Sequence, residues 1–149
     1  MRRTTLAVAL LTIGALPLAA QKKPEAAPKQ AGKPADIKIP AAAVGTWEGK
    51  TMLGPKDSVV STFTFTVNAD GTGTEILPDR DPIAEHVIAA GGDSIVTVSS
   101  QFKSVLRPNL TVVTRTTFHV KGNMMSGRTH ADYSDGTKLE LKTTATRKK

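Results

Sequence analysis

One stretch of alternating residues, from Thr111 to Arg147, constrains the fold of this chain more than any other feature. It reads TVVTRTTFHVKGNMMSGRTHADYSDGTKLELKTTATR, and β-branched and aromatic residues dominate its first part. Successive side chains of a strand point to opposite faces, so this alternation with a period of two residues indicates strands rather than helices. Glycine-containing turns at Gly122-Asn123 and Tyr133–Thr137 divide the stretch. It therefore predicts three consecutive antiparallel strands.

The side-chain pattern also selects the register of these strands. A slip of one residue would turn every side chain of a strand to the other face. The register that keeps apolar and small residues on one face and charged residues on the other is the one expected. The resulting opposite pairs are Lys121 with Met124, Val120 with Met125, Phe118 with Gly127, Arg115 with His130, Asp132 with Lys138, and His130 with Glu140.

The preceding part of the chain contains five further candidate strands. The run Ala84–Ala90 fits either a strand or one helical turn, and Val87-Ile88 favours the strand. Sequential strands separated by turns every 8–12 residues or so indicate an all-β sandwich or barrel. We expect an antiparallel up-and-down meander of about eight strands, forming a small closed or nearly closed β-barrel without exposed edges. The five candidates are Thr46–Leu53, Ser58–Val67, Thr72–Leu77, Ala84–Ala90 and Ser94–Phe102.

The first hairpin of the meander can also be aligned. Pairing Leu53 with Val59 sets Gly49 opposite Phe63, so that the aromatic ring lies over the glycine. The same register sets Trp47 opposite Phe65.

The amino-terminal residues have the pattern of a secretory signal. Arg2-Arg3 precede the apolar run Leu6–Leu18, and Ala19-Ala20 offer a cleavage site, so residues 1–20 are predicted to be a signal peptide. The run is short for a membrane anchor, and we expect no transmembrane segment in the mature chain. The chain of 149 residues contains no cysteine. Export without disulfides suggests a bacterial periplasmic or extracellular protein.

The formal net charge of +7 belongs to the ends of the chain. Residues 21–43, rich in Ala, Pro and Lys, are predicted to be a disordered linker, residues 44–147 the barrel domain, and residues 148–149 a basic tail. Residues 44–146 contain ten basic and eleven acidic residues. The basic ends can attract anionic envelope polymers. A nearly neutral body with few aromatic residues argues against nucleic-acid binding.

The triplet Gly45-Thr46-Trp47 at the start of the first strand, with Arg147 after the last, resembles the calycin superfamily of lipocalins and avidin-like barrels. The resemblance implies a barrel in which Trp47 closes one end and Arg147 packs across its ring. It does not extend to the biotin site of avidins, because Trp47 is the single tryptophan.

Inward-facing side chains either fill a small barrel or line a cavity. Here they combine aromatic rings with hydroxyl groups, which suits a small apolar or amphipathic ligand. Ala84–Ala90 and its Pro-rich flank are expected at the rim. The alternative is a solid barrel whose charged outer face (Arg115, Arg128, His130 and Lys142) meets an envelope protein or polymer. The candidate ligand-binding residues are Trp47, Phe63, Phe65, Thr116, Phe118, Thr129 and Tyr133.

Neither a metal site nor a catalytic site is expected. His119 and His130 share their face with Arg115 and Arg128, whose charges oppose a cation, so cross-strand surface pairing is the interpretation of this group. Gly92-Asp93-Ser94 is similar to the nucleophile tripeptide of one esterase family, which leaves a hydrolase as a third hypothesis. The tripeptide lies in a turn before a strand rather than before a helix. A non-enzymatic protein without a cofactor is the prediction.

Overall fold

The computed structural model describes residues 37–149, and its regular elements in that range are all β-strands. The predicted signal peptide and most of the predicted linker lie outside the described residues. Within the described range, no helix has the length and apolar character needed to cross a membrane. The strands are β1 (Gly45–Leu53), β2 (Ser58–Val67), β3 (Thr72–Ile76), β4 (Ile83–Gly91), β5 (Ser94–Ser99), β6 (Phe102–Lys103), β7 (Thr111–Lys121), β8 (Met124–Tyr133) and β9 (Lys138–Arg147).

The strands form one antiparallel meander that closes on itself. Each strand from β1 to β5 pairs with the next, and β7, β8, β9 and β1 follow in the same way. Pairing of β5 with β7 completes a closed barrel of eight strands, while the two-residue β6 adds to β7 beside the start of that strand. The predicted all-β up-and-down barrel is confirmed. Closure of the barrel pairs the backbone N–H and C=O groups that would remain unpaired at the edges of an open sheet.

The predicted registers of the last two hairpins are also confirmed, from Lys121 opposite Met124 to His130 opposite Glu140. In the first hairpin Gly49 lies opposite Phe63 as expected. The predicted pair of Leu53 with Val59 is wrong, because an irregularity after Thr51 shifts the register by one residue. The stretch Ala84–Ala90 belongs to strand β4, so the helical alternative is wrong.

One end of the barrel is closed around Trp47. Its side chain is fully buried, and its Nε1 donates a hydrogen bond of 3.0 Å to the carbonyl oxygen of Ala43. The guanidinium of Arg147 lies 4.2 Å from the centre of the indole ring and donates to the carbonyl oxygen of Val44 at 2.8 Å. The contact between the two side chains is the one that the resemblance implied. Ile39 and Ala43, within the predicted linker, are buried against this end.

The other end is covered by residues 104–110, the connection from β6 to β7, which we call the cap. Ser104 is buried, and its amide donates to the carbonyl oxygen of Leu110 at 2.9 Å. Leu106 and Leu110 pack on the apolar residues of this end. The guanidinium of Arg107 lies 4.4 Å from the ring centre of Tyr133. The cap therefore rests on the barrel through apolar contacts, one cation–π contact and a hydrogen bond from Arg107 to the hydroxyl of Thr137.

Candidate ligand-binding site

A cavity lies inside the barrel between its two ends. Its volume is about 80 Å³. All eight barrel strands and the cap contribute to the lining. The lining residues are Thr51, Val60, Ser61, Phe63, Phe65, Glu75, Leu77, Glu85, Thr97, Phe102, Ser104, Val105, Leu106, Val112, Thr114, Thr116, Phe118, Thr129, Ala131, Tyr133, Leu141 and Thr143.

Most of the predicted ligand-binding residues face this cavity. The six that do are Phe63, Phe65, Thr116, Phe118, Thr129 and Tyr133. Trp47 is absent from the lining, because it packs among the residues of the closed end with no exposed surface. The predicted rim is only partly correct. β4 is a strand of the wall, whereas its Pro-rich flank lies beside the cap, where Arg80 donates to the carbonyl oxygen of Ser104 at 3.5 Å.

Aromatic rings form the apolar wall of the cavity. The rings of Phe65 and Phe118 are stacked, with centres 5.7 Å apart and planes inclined by 20°. Phe65 lies over Gly73, where a Cβ atom would come within 3.3 Å of the ring. Glycine at this position lets the aromatic ring lie close to the backbone of β3, next to the side chain of Glu85.

Three threonine hydroxyls form a hydrogen-bonded row on the wall made by β7, β8 and β9. Thr116 and Thr129 are joined at 2.9 Å between their Oγ1 atoms, and Thr129 and Thr143 at 2.7 Å. All three side chains are buried. Two hydrogen bonds use two of the three hydroxyl protons, so the row retains one proton that can reach a ligand.

Two carboxyl groups, of Glu75 and Glu85, lie inside the barrel and line the cavity. Gly73 pairs with Glu85 across β3 and β4, and Glu75 pairs with Ile83, so the glutamates are diagonal neighbours on the inner face. Glu85 is only 4% exposed. Glu75 is surrounded by protein atoms yet keeps some accessible surface, which is expected for a group beside an internal space.

The surroundings of both carboxyls disfavour their ionised form. Burial raises the pKa of Glu75 from 4.5 to about 7. Burial raises the pKa of Glu85 to about 8, the negative charge of Glu75 raises it further, and the hydroxyl of Thr97 opposes the rise. The effect of one carboxylate on the other shows that the two groups titrate as a pair. Near neutral pH this wall of the cavity can hold or release protons.

Glu75 and Glu85 were not among the site residues predicted from the sequence. A signal was present, because Glu85 alternates in phase with Ile83 and Val87, both of which are buried. An acidic residue in phase with apolar neighbours indicates an inward-facing carboxyl when the segment is a strand. Because Ala84–Ala90 also fitted a helical turn, the alternation alone did not establish that Glu85 faces inward.

The outer face carries the charged residues expected there. Arg128 pairs with Glu140, and Lys142 Nζ lies 2.6 Å from Asp57 Oδ1. Two of the four residues proposed to meet a partner, Arg128 and Lys142, are thus paired with carboxylates of the same chain, and a third, His130, has its Nδ1 3.9 Å from Glu140 Oε2. Among residues 37–149, no group of three His, Asp or Glu side chains is placed to hold a metal ion.

Ser94 lies on the outside, away from the cavity. Its Oγ is 2.8 Å from His119 Nδ1 and 2.9 Å from Asp93 Oδ1. Asp93 approaches the same ring nitrogen, at 3.8 Å. In a catalytic triad the carboxylate holds the ring nitrogen opposite to the serine. These three exposed side chains do not have that arrangement.

The fold and the site define the class of molecule: a small closed β-barrel with an internal cavity lined by aromatic rings, hydroxyls and two carboxyls. Comparison with protein-family models, with curated proteins and with solved structures finds no match to this chain.

Proposed function

We propose that this chain is an exported, calycin-like, non-enzymatic barrel that binds a small apolar or amphipathic molecule in its interior. The observation that carries this proposal is the cavity of about 80 Å³ between the Trp47 end and the cap. Small-molecule sites combine an enclosed apolar surface with a few polar groups that orient the ligand. The stacked phenylalanines, the threonine row and the two glutamates supply both parts.

Two further observations support the individual parts of the proposal. The basic pair, apolar run and Ala-Ala of residues 1–20 support export. The Arg147 guanidinium over the Trp47 ring supports the calycin resemblance. A solid barrel acting as an interaction module is less favoured, since two of its proposed contact residues are paired within the chain.

Native mass spectrometry of the full chain, purified without detergent from the cells that produce it, tests the proposal. We expect a reproducible mass above that of the denatured protein. Thr116→Phe should abolish the excess by filling the cavity. Thr117→Phe, the neighbour on the outer face of the same strand, is the matched control and should retain it.

The proposal fails if no bound molecule is detected. If the native mass equals the denatured mass, and an envelope lipid extract adds nothing to it, the small-molecule function is wrong. The outer face would then be tested with Arg115→Glu and Arg128→Glu against envelope partners.

A further inference from the structure

The two carboxyls of the cavity wall have no positive partner. No Lys, Arg or His is among the lining residues within the described part of the chain. Burial is the sole cause of the raised pKa of Glu75, and neither a hydrogen bond nor a positive charge lowers that pKa. Buried acidic groups are usually paired or coordinated, because an isolated charge away from water is unfavourable. When these carboxyls ionise, a cationic partner can come only from a ligand, because the lining residues supply none.

The groups around the carboxyls indicate the chemistry of that partner. Phe65 pairs directly with Glu75 across β2 and β3, and its ring lies beside the Cβ of Glu85 through the space at Gly73. Carboxylates next to an aromatic face are a combination that binds ammonium groups, since the ring face and the carboxylates both attract positive charge. A divalent metal ion would need more oxygen ligands than two glutamates supply.

The opposite wall suits the remainder of such a ligand. In the closed ring of eight strands, β8 is the fourth strand from β3, and β9 is the fourth strand from β4. These two pairs of strands therefore form opposite walls. The carboxyls thus lie across the cavity from Thr129 and Thr143, and Phe118 and Leu77 contribute apolar surface to the same lining. A cavity of about 80 Å³ suits a small ligand, such as a single ring or a short alkyl chain bearing one polar group.

We infer that the cavity binds a small organic cation, an amine on an apolar body, with its ammonium group between Glu75 and Glu85 and its body against Phe65 and Phe118. This inference rests on the proposed small-molecule function and specifies its ligand class. It does not follow from the fold alone, because a barrel of the same shape with Gln at both positions would favour a neutral ligand.

The test compares three probes of nearly equal shape by isothermal titration calorimetry on the full chain at pH 8. They are 2-phenylethylamine, 2-phenylethanol and 3-phenylpropionate. At this pH an alkyl amine is still protonated, since its pKa is roughly 10. We expect the amine to bind at least about tenfold more tightly than the alcohol, and the carboxylate probe not to bind, because charged hydrogen bonds exceed neutral ones.

Two glutamate variants identify the group responsible. Glu75→Gln and Glu85→Gln keep the side-chain shape and remove the charge, so each should reduce the preference for the amine over the alcohol about tenfold. Binding of the alcohol should stay unchanged, which shows that the cavity is intact. Glu48→Gln, at an exposed carboxyl on the outside of β1, is the control and should preserve the preference.

The outcomes separate this inference from the proposed function. Equal binding of amine and alcohol, or tighter binding of the carboxylate probe, would overturn the organic-cation class while leaving a binding barrel. Amine binding that is unaffected in both Gln variants would remove the glutamates from the site. If no probe binds but the native mass excess is present, the ligand class is wrong. If the excess is absent as well, the proposed function fails with it.

Discussion

Glu75 and Glu85 are the residues whose surroundings differ most from those that their side chains prefer. Acidic side chains are rarely buried without a partner. The arrangement lowers the stability of the empty barrel wherever the carboxyls would be ionised in the unfolded chain. A site that is unfavourable when empty and favourable when occupied couples ligand binding to stability.

These two carboxyls should make the stability of the protein depend on pH. The unfolded carboxyls titrate near 4.5, and the folded ones near 7 and 8. Between these values the folded state binds more protons than the unfolded state, so the free energy of unfolding should fall as the pH rises from 4.5 to 8. The shift at Glu75 corresponds to roughly 3 kcal/mol. Urea denaturation at several pH values measures this fall.

The double variant Glu75→Gln/Glu85→Gln isolates the contribution of the pair. Three aspartates, Asp70, Asp93 and Asp135, have pKa values that are lowered by hydrogen bonds from Thr72, Ser94 and Thr137. They therefore change charge below the range of pH 4.5 to 8 in which the two glutamates titrate. We expect the variant to be the more stable protein at pH 8 and to differ little at pH 4.5. The same pH profile in both proteins would contradict the burial of the carboxyls.

Gly49 provides a second prediction at the residue scale. A Cβ atom there would lie 2.7 Å from Cε2 of Phe63 and 2.7 Å from the carbonyl oxygen of Thr144. Gly49→Ala should therefore lower the free energy of unfolding by about 1–3 kcal/mol, because the ring and the adjacent strand must move. Chemical denaturation measures the change. Gly91→Ala, where nothing lies within 4 Å of the added atom, should have a much smaller effect.

At the scale of elements, the cap differs from the strands in how it is held. The strands are held by continuous ladders of backbone hydrogen bonds, whereas the cap has only a few backbone hydrogen bonds. Arg107 adds a cation–π contact with Tyr133 and a hydrogen bond to the hydroxyl of Thr137. Arg80, in the connection from β3 to β4, donates to the carbonyl oxygen of Lys103. The cap is thus the element through which a ligand would enter with the least disruption.

Removing the Arg107 side chain should loosen the cap without unfolding the barrel. In Arg107→Ala, amide hydrogen exchange at Ser104 and Leu110 should quicken by about threefold to tenfold, since a partly exposed cation–π contact contributes about 1 kcal/mol. Exchange in β7 and β8 should not change. The control is Arg115→Ala on the outer face. If exchange in the cap is unaltered, these contacts do not hold it in place.

At the scale of the whole molecule, the two ends of the barrel have different structures. The Trp47 end is filled by a continuous apolar cluster that includes Ile39 from outside the barrel strands. The cap end packs on a smaller cluster around Tyr133. Between them lies the cavity. Packing at the first end therefore supplies stability, and under the proposed function a ligand would enter at the second end.

Ile39→Ala tests whether the segment before β1 is part of the folded unit. Ile39 is 8% exposed and packs near Gly71 and Val87, so its truncation should lower the free energy of unfolding by about 2–3 kcal/mol. Denaturation followed by the fluorescence of the single tryptophan measures this. Ile88→Ala, at a side chain 40% exposed on β4, should have less than half the effect. Equal effects would mean that the segment does not contribute to the core.

The amino-acid sequence alone specified the strands, the meander and most of the register, because alternation with a period of two is a property of neighbouring residues. Turn glycines and opposite charges then align neighbouring strands, as in the hairpins of β7, β8 and β9. It also placed six residues of the lining on the inner face. These are local properties, or properties of consecutive strands, which a linear pattern can record.

The cavity inside the barrel, and the meeting of Glu75 and Glu85 in its wall, became evident only from the packing of the folded chain. A cavity is the difference between the volume enclosed by eight strands and the volume of their side chains, and no single segment contains that quantity. The cap covers the interior through contacts such as that of Arg107 with Tyr133, which are distant in sequence. Closure also excludes water from the glutamates, and that exclusion changes an ordinary acidic side chain into a group that titrates near neutral pH.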